Sequence, residues 1–151
     1  MNFDVNRLYM TTEGRIGRQD FWIGVVGLIV VGIVATVIIG GIFGMLSRTA
    51  LILTFIVQIA LAYPAYCLMG KRFQDRDKPG TYAAILIGLG LLVALLAIIG
   101  LTGNPATGGN WFGWILNLAQ LVVAIWFLIE LGFLRGTNGD NQYGADPIAG
   151  A

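Results

Sequence analysis

Four long runs of apolar residues constrain this chain more than any other feature of its sequence. They cover residues 21–46, 49–69, 81–101 and 111–134. None of them contains aspartate, lysine or arginine, and Glu130 in the fourth run is their only acidic residue. About 20 apolar residues are enough for a helix to cross the hydrocarbon core of a bilayer. Because the runs are too long for strands and do not alternate in polarity, they predict an all-α integral membrane protein with four transmembrane helices.

The low content of charged residues supports the same interpretation. Charged residues make up 11% of the chain, and the mean hydropathy is +0.80, whereas an ordinary globular domain carries about 25% charge. A soluble domain of about 150 residues still exposes roughly 30% of the surface of its unfolded chain. Lipid is therefore the expected solvent. The first run is also too long for the core of a signal peptide, so we expect it to be retained.

Histidine is absent and Cys67 is the only cysteine. The chain therefore has no imidazole to serve as a metal ligand or general base, and it cannot form an intrachain disulfide. An apolar run surrounds Cys67, which favours a small buried hydrophobic side chain. We find no catalytic constellation, and we expect neither a metal nor another cofactor.

The basic residues are placed asymmetrically around the four runs. Eight of them lie before the first run, in the connection 70–80 or at the start of the tail: Arg7, Arg15, Arg18, Lys71, Arg72, Arg76, Lys78 and Arg135. The other side has only Arg48. The positive-inside rule then predicts that both termini are cytoplasmic. We expect the four spans to form a bundle of two antiparallel hairpins over residues 21–134. A cytoplasmic segment, 1–20, precedes this bundle, and a cytoplasmic tail, 135–151, follows it.

Three polar segments on the predicted cytoplasmic side mix acids, cations and glycines. We expect them to converge into one salt-bridged cap that is either structural or binds a ligand or partner. Its candidate residues are Arg15, Arg18, Lys71, Arg72, Asp75, Arg76, Asn141, Tyr143 and Asp146. Arg15 and Arg18 would share a face if they were helical. Together they could clamp an internal carboxylate, such as that of Asp75 or Asp146, or a lipid phosphate.

A few other polar or small residues fall within the predicted spans. Gln58 and Gln120 lie near the middle of spans two and four, where each could make an interhelical hydrogen bond or line a route for a ligand or ion. Glu130 lies close to the cytoplasmic end and could pair with Lys71, Arg72 or an N-terminal arginine. It is either a structural ion pair or a proton or substrate site. Small residues at 40 and 44 favour close helix packing, within the chain or in a dimer.

The polar segments also carry a resemblance to a known family. The glycine-arginine, arginine and phenylalanine-tryptophan pattern at 14–22, the basic pair at 71–72 and the tail at 136–147 resemble the bacterial inner-membrane family known as domain of unknown function 805. Gln74 departs from that family's usual histidine, and Thr81-Tyr82 stands in place of its tryptophan. The resemblance implies a small multi-helix protein of the bacterial inner membrane, and it implies no activity.

Three classes of function are compatible with these observations. The first is a non-enzymatic membrane module whose cap binds lipid, with anionic headgroups as candidates, or docks a membrane protein. The second is a small transporter or channel subunit that would form a homo-oligomer. The third is an enzyme acting on lipid, with carboxylates at the interface as acid and base or as Mg²⁺ ligands. The absence of histidine and of an activated nucleophile favours the first class, and we expect no nucleic-acid partner.

Overall fold

The computed structural model describes residues 4–104 and 108–148. Within these ranges the α-helices are α1 Val5–Tyr9, α2 Arg18–Phe43, α3 Arg48–Asp75, α4 Ala83–Ile98 and α5 Trp111–Phe127. A 3₁₀ turn, Gly80–Tyr82, precedes α4, and a π-helix, Leu128–Phe133, continues α5. Two short antiparallel strands, β1 Gly103–Asn104 and β2 Gly108–Gly109, lie before α5.

The prediction of an all-α protein with four membrane-spanning helices is confirmed at the level of length and composition. The four helices that are long and apolar enough to cross a bilayer are Arg18–Phe43, Arg48–Asp75, Gly80–Ile98 and Trp111–Phe133. At most 11% of the residues in the apolar window of each are buried inside the protein. The helices therefore present most of their apolar surface outwards, as a bilayer-immersed chain requires.

Local sequence signals explain where the helices begin. The Ser47 hydroxyl accepts a hydrogen bond from the Ala50 amide at 3.0 Å at the start of α3. The Asn110 side chain accepts from the Gly113 amide at 2.8 Å at the start of α5. Both are favoured N-cap residues because their oxygens bind amides that have no partner within the helix.

The end of α3 lies beyond the apolar run that predicted it. The run ends at residue 69, whereas the helix continues to Asp75. Pro64 lies inside the helix and does not end it. This extension adds polar and charged residues to the last turns of the helix. It places Lys71, Arg72 and Asp75 on a rigid element, and all three are buried.

The helices pack in sequence order. A short turn at 44–47 joins α2 and α3, which lie against each other, α3 lies against α4, and α4 lies against α5. The start of the bundle and its end also meet, because α2 contacts the π-helix.

The buried core occupies the end of the bundle where α2 begins and α3 ends. Its residues are Leu8, Ile16, Phe21, Leu68, Phe73, Ala83, Phe127 and Leu131. The aromatic ring of Phe73 packs edge-on against Phe127, with centroids 5.2 Å apart, and against Tyr82 at 5.7 Å. Such pairs stabilise a core beyond the burial of their surface. This end is therefore the most tightly packed part of the described chain.

We expect Phe73→Ala to lower the free energy of unfolding by about 3–5 kcal/mol, because it leaves a cavity in this core. Phe43→Ala, at the far end of α2, is the matched control, since its side chain is 47% exposed. Unfolding in detergent, followed by circular dichroism, measures both. Equal effects of the two substitutions would show that the core does not stabilise this end.

Candidate functional site

A buried group of three charged side chains lies at the same end of the bundle. Asp75 is only 2% exposed, and Arg15 and Arg72 are 4% and 1% exposed. The Asp75 carboxylate accepts from Arg15 Nε at 3.1 Å through Oδ1 and from Arg72 Nη1 through Oδ2. We refer to Arg15, Arg72 and Asp75 as the polar cluster. One carboxylate here bridges two guanidinium groups from different parts of the chain.

The remaining donors of Arg15 bind the C-terminal tail. Arg15 Nη2 donates to the Thr137 carbonyl at 2.7 Å, and Nη1 donates to the carbonyls of Gly139 and Gly144 at 2.7 and 3.2 Å. Arg15 thereby joins the N-terminal segment, the end of α3 and the tail. Because its guanidinium is buried and bonded on all three nitrogens, it is not available to an external phosphate.

The end of the π-helix is capped by side chains from α2 and from the end of α3. The five consecutive carbonyl oxygens of residues 131–135 accept, in chain order, from Arg72, Trp22, Arg18, Arg72 and Arg76, at 2.5–3.3 Å. A helix C-terminus leaves carbonyls without helical partners and carries a partial negative charge. Arginines at this position satisfy both requirements.

Glu130 pairs with partners that differ from those expected. It is 6% exposed, and its Oε1 accepts from Arg76 Nε at 2.6 Å and from Lys78 Nζ at 2.5 Å. The expectation of Lys71, Arg72 or an N-terminal arginine as its partner was wrong. The reason is the added length of α3, which carries Arg76 to the π-helix and leaves Arg72 bonded to Asp75.

Lys71 has a different structural role. Its ammonium donates to the carbonyls of Arg7 and Leu8, the latter at 3.0 Å, and to the Thr11 hydroxyl at 3.2 Å. These acceptors lie at the end of α1 and just after it. Lys71 therefore holds α1 against α3, and it is buried in doing so.

Arg15 and Arg18 do not act as the pair that their spacing suggested. Gly17 is the N-cap of α2, so the helix begins at Arg18 and Arg15 lies before it. Arg18 is exposed and makes a 3.3 Å hydrogen bond to the Phe133 carbonyl. The two arginines consequently face different partners, and only Arg15 reaches Asp75.

Asp146 contributes to the fold of the tail and does not clamp Arg15 by hydrogen bonds. Its carboxylate accepts from the amides of Ile148 at 3.0 Å and Gly139 at 2.9 Å. These bonds, Ile148 first, lower the pKa of Asp146 below its usual value. Because the folded pKa is the lower one, this stabilisation is present above the unfolded pKa and is lost as the pH falls through the folded value.

Asn141 and its neighbours attach the tail to α3. The Asn141 amide donates to the Gln74 carbonyl at 2.9 Å and to the Thr137 hydroxyl at 3.0 Å, and its oxygen accepts from the Tyr143 amide at 2.9 Å. Thr137, which sequence reasoning did not single out, also donates its amide to the Asp75 carbonyl at 2.9 Å. Gly136 was missed as well, although a side chain there would collide with the Asp75 carboxylate. The available signals were the density of glycines in this segment and its place at the start of the tail pattern that resembles the family.

The two intramembrane glutamines are not part of the polar cluster. Gln58 is exposed and Gln120 is half-buried, and both line an open groove of about 540 Å³ together with residues of α2, α3 and α4. Neither amide has a hydrogen-bond partner in residues 4–104 or 108–148. Glu130 does not line this groove. The spacing at 40 and 44 serves the turn after α2: Gly44 ends the helix at φ 83°, and Gly40 lies against Met45.

We expect Asp75→Asn to destabilise the fold by about 3–5 kcal/mol, because it leaves two buried guanidinium charges without their counter-charge. The matched control is Asp77→Asn, two residues away and exposed. Its change should stay within about 0.5 kcal/mol. Unfolding in detergent measures both values, and proteolysis should cut the tail of the Asp75 variant first. A stable Asp75→Asn protein with a protected tail would contradict the stabilising role of the polar cluster.

Comparison with known proteins identifies the family without naming an activity. Residues 9–145 match the family described as "Protein of unknown function (DUF805)". The "Uncharacterized protein YiiR" of Escherichia coli strain K12 is 32% identical over 135 residues, which is 89% of this chain and 84% of YiiR. YiiR of E. coli O157:H7 matches with the same values. No solved structure matches the chain. The chain therefore belongs to the DUF805 family, and the resemblance of its polar segments is confirmed.

Proposed function

We propose that this protein is a non-enzymatic module of the bacterial inner membrane that binds anionic lipid headgroups on its cytoplasmic face. The proposal rests on a difference in burial between two pairs of arginines. Arg15 and Arg72 are buried and bonded within the protein, whereas Arg18 and Arg135 are exposed at the ends of the spans. The buried pair holds the face together. The exposed pair can reach a ligand, because Arg18 uses only Nη1 in its 3.3 Å bond to the Phe133 carbonyl and keeps its other donors.

The distribution of charge supports the orientation. Eight of the nine basic residues lie at the end that carries the polar cluster, and Arg48 lies alone at the start of α3. The positive-inside rule assigns such an end to the cytoplasm. In this arrangement α2 with α3 and α4 with α5 form two antiparallel hairpins. The polar cluster then becomes a cap on the cytoplasmic side, to which both terminal segments are attached.

The position of the exposed arginines supports lipid as the ligand. Arg18 bonds to the carbonyl of Phe133, two residues before Arg135, so both arginines belong to one edge of the bundle. Trp22, whose indole donates to the Gly132 carbonyl at 3.3 Å, lies beside them as an amphipathic ring typical of the headgroup level. Each basic residue near an anionic membrane surface contributes about 1 kcal/mol of attraction.

The ion pairs of Glu130 lead us to rank the transporter hypothesis lower. That hypothesis needs a polar route, and the groove lined by Gln58 and Gln120 supplies two amides. Glu130, the acidic residue of the four apolar runs, is bonded to Arg76 and Lys78 and lies outside this groove. The lipid-modifying enzyme ranks below both, because the carboxylate of Asp75 is already shared by two guanidinium groups.

The orientation can be tested with single cysteines introduced into a Cys67→Ala protein. We expect Asn138→Cys, in the exposed part of the tail, to react with a membrane-impermeant maleimide in inverted vesicles and to be protected in intact spheroplasts. Met45→Cys, in the exposed turn after α2, should behave in the opposite way. Labelling of Asn138→Cys in intact spheroplasts would reverse the proposed orientation.

The lipid proposal can be tested by native mass spectrometry of protein released from nanodiscs of equal phosphatidylglycerol and phosphatidylcholine. We expect the wild type to retain phosphatidylglycerol preferentially. Replacing both Arg18 and Arg135 by Gln should weaken this preference about thirty-fold, at about 1 kcal/mol for each charge.

Arg48→Gln is the control for this experiment, because it removes an exposed arginine at the other end of α3. It should leave the preference largely intact. If Arg48→Gln matched the double variant, general charge rather than a specific face would explain retention. An unchanged preference in the double variant would overturn the proposal.

A further inference from the structure

A second concave site lies at the end of the bundle that carries the polar cluster. It is a pocket of about 300 Å³ between the N-terminal segment, the end of α3, the connection before α4 and the tail. The side chains that matter for its chemistry are Thr12, Glu13, Tyr66, Gln74, Thr81 and Tyr143. They are separate from Arg18 and Arg135, to which we attribute the binding of anionic lipid.

The pocket is rich in hydrogen-bond acceptors although this end of the protein is rich in cations. Its lining holds one carboxylate, that of Glu13, together with hydroxyl groups and two tyrosine rings, and it contains neither lysine nor arginine. Carboxylates are acceptors, hydroxyls accept as well as donate, and aromatic faces attract cations. An anionic ligand would find no counter-charge in this lining.

Gln74 supplies an acceptor without a donor. Its Oε1 is buried and has no hydrogen-bond partner among the residues that the structure describes. Buried amide oxygens in folded proteins are nearly always bonded, so this atom indicates a missing donor. The terminal torsion of a glutamine is broad, which allows the amide to turn its oxygen towards a ligand in the pocket.

The walls around Gln74 are formed by closely approaching backbone. A Cβ added to Gly80 would lie 3.1 Å from Gln74 Nε2 and 3.2 Å from the Gly70 carbonyl oxygen. Any side chain at position 80 would therefore crowd the glutamine amide. The close contact of Gly70 with Gly80 fixes the connection before α4 as one wall of the pocket.

We infer that this pocket binds a primary ammonium group, with Gln74 accepting one of its N–H bonds, Glu13 supplying the counter-charge and the tyrosine rings packing around it. A primary ammonium carries three donors and no acceptor, which complements the lining. The group can come from a phosphatidylethanolamine headgroup or from a free amine. The volume of the pocket is at the lower limit for small-molecule sites and suits an ethanolamine-sized group.

The test uses the full-length protein and two sources of the same chemistry. Ethanolamine is titrated by calorimetry into the protein in detergent. In parallel, native mass spectrometry compares lipids retained from nanodiscs of equal phosphatidylethanolamine and phosphatidylcholine. Both lipids are zwitterionic, but the quaternary ammonium of phosphatidylcholine has no N–H donor, so preference for phosphatidylethanolamine reports the hydrogen bond. Binding in the first experiment alone identifies a free amine as the source, and preference in the second alone identifies a lipid headgroup.

Two variants separate the proposed roles from a change in fold. We expect Gln74→Met, which keeps the length of the side chain, to weaken amine binding about ten-fold or more, since a hydrogen bond to a charged group is lost. Glu13→Gln, at an exposed position, should weaken it similarly and make it less sensitive to salt. Gln58→Met, which alters a glutamine of the other groove, is the matched control and should bind like the wild type.

The proposal is overturned if the wild type neither binds ethanolamine at millimolar concentration nor prefers phosphatidylethanolamine. It is also overturned if Gln74→Met and Glu13→Gln, both folded, bind like the wild type. If Gln74→Met does not fold, Glu13→Gln decides the outcome alone. The phosphatidylglycerol preference that depends on Arg18 and Arg135 is measured independently, so either proposal can fail without the other.

Discussion

The structure depends on the carboxylate of Asp75, which bridges Arg15 and Arg72 inside the protein. Two buried guanidinium groups without a counter-charge would be strongly unfavourable, and a buried carboxylate alone would be so too. Held together, they fix the end of α3 relative to the N-terminal segment. Because Arg15 also bonds tail carbonyls and Arg72 bonds the π-helix, this one carboxylate sets the positions of four chain segments.

The arginines satisfy a second requirement, which is the termination of a membrane helix. Carbonyls in the last turn of a helix have no partner within the helix, and their hydrogen bonds must come from side chains or from water. At residues 131–135 those partners are side chains of α2 and of the end of α3. The same contacts tie the last span to the first two. The far ends of the helices have no comparable network among the described residues, and the packed core is found only beside the polar cluster.

The four helices were readable from the sequence because lipid immersion demands about 20 apolar residues per span and imposes little else. The details of the candidate site were not readable, for specific reasons. The apolar run ends at residue 69, but α3 continues to Asp75, because the charged residues of its last turns are satisfied by other segments. That extension changed the partner of Glu130. Gly17 as N-cap separated Arg15 from Arg18, and most of the partners of Arg15 are backbone carbonyls, which no side-chain pattern reveals.

The attachment of the tail to Arg15 has a consequence for how the chain is made. Arg15 and its acceptor at Thr137 are separated by 122 residues. The ribosome therefore synthesises the arginine long before the carbonyls that bind it. While the spans are being inserted, the tail carbonyls that bind Arg15 have not yet been made, and its hydrogen bonds are complete only after residues 137–144 have been synthesised. A product truncated before residue 137 therefore lacks these hydrogen bonds and leaves the Arg15 guanidinium without its tail acceptors. Closure of this network is therefore a late step in the folding of the protein.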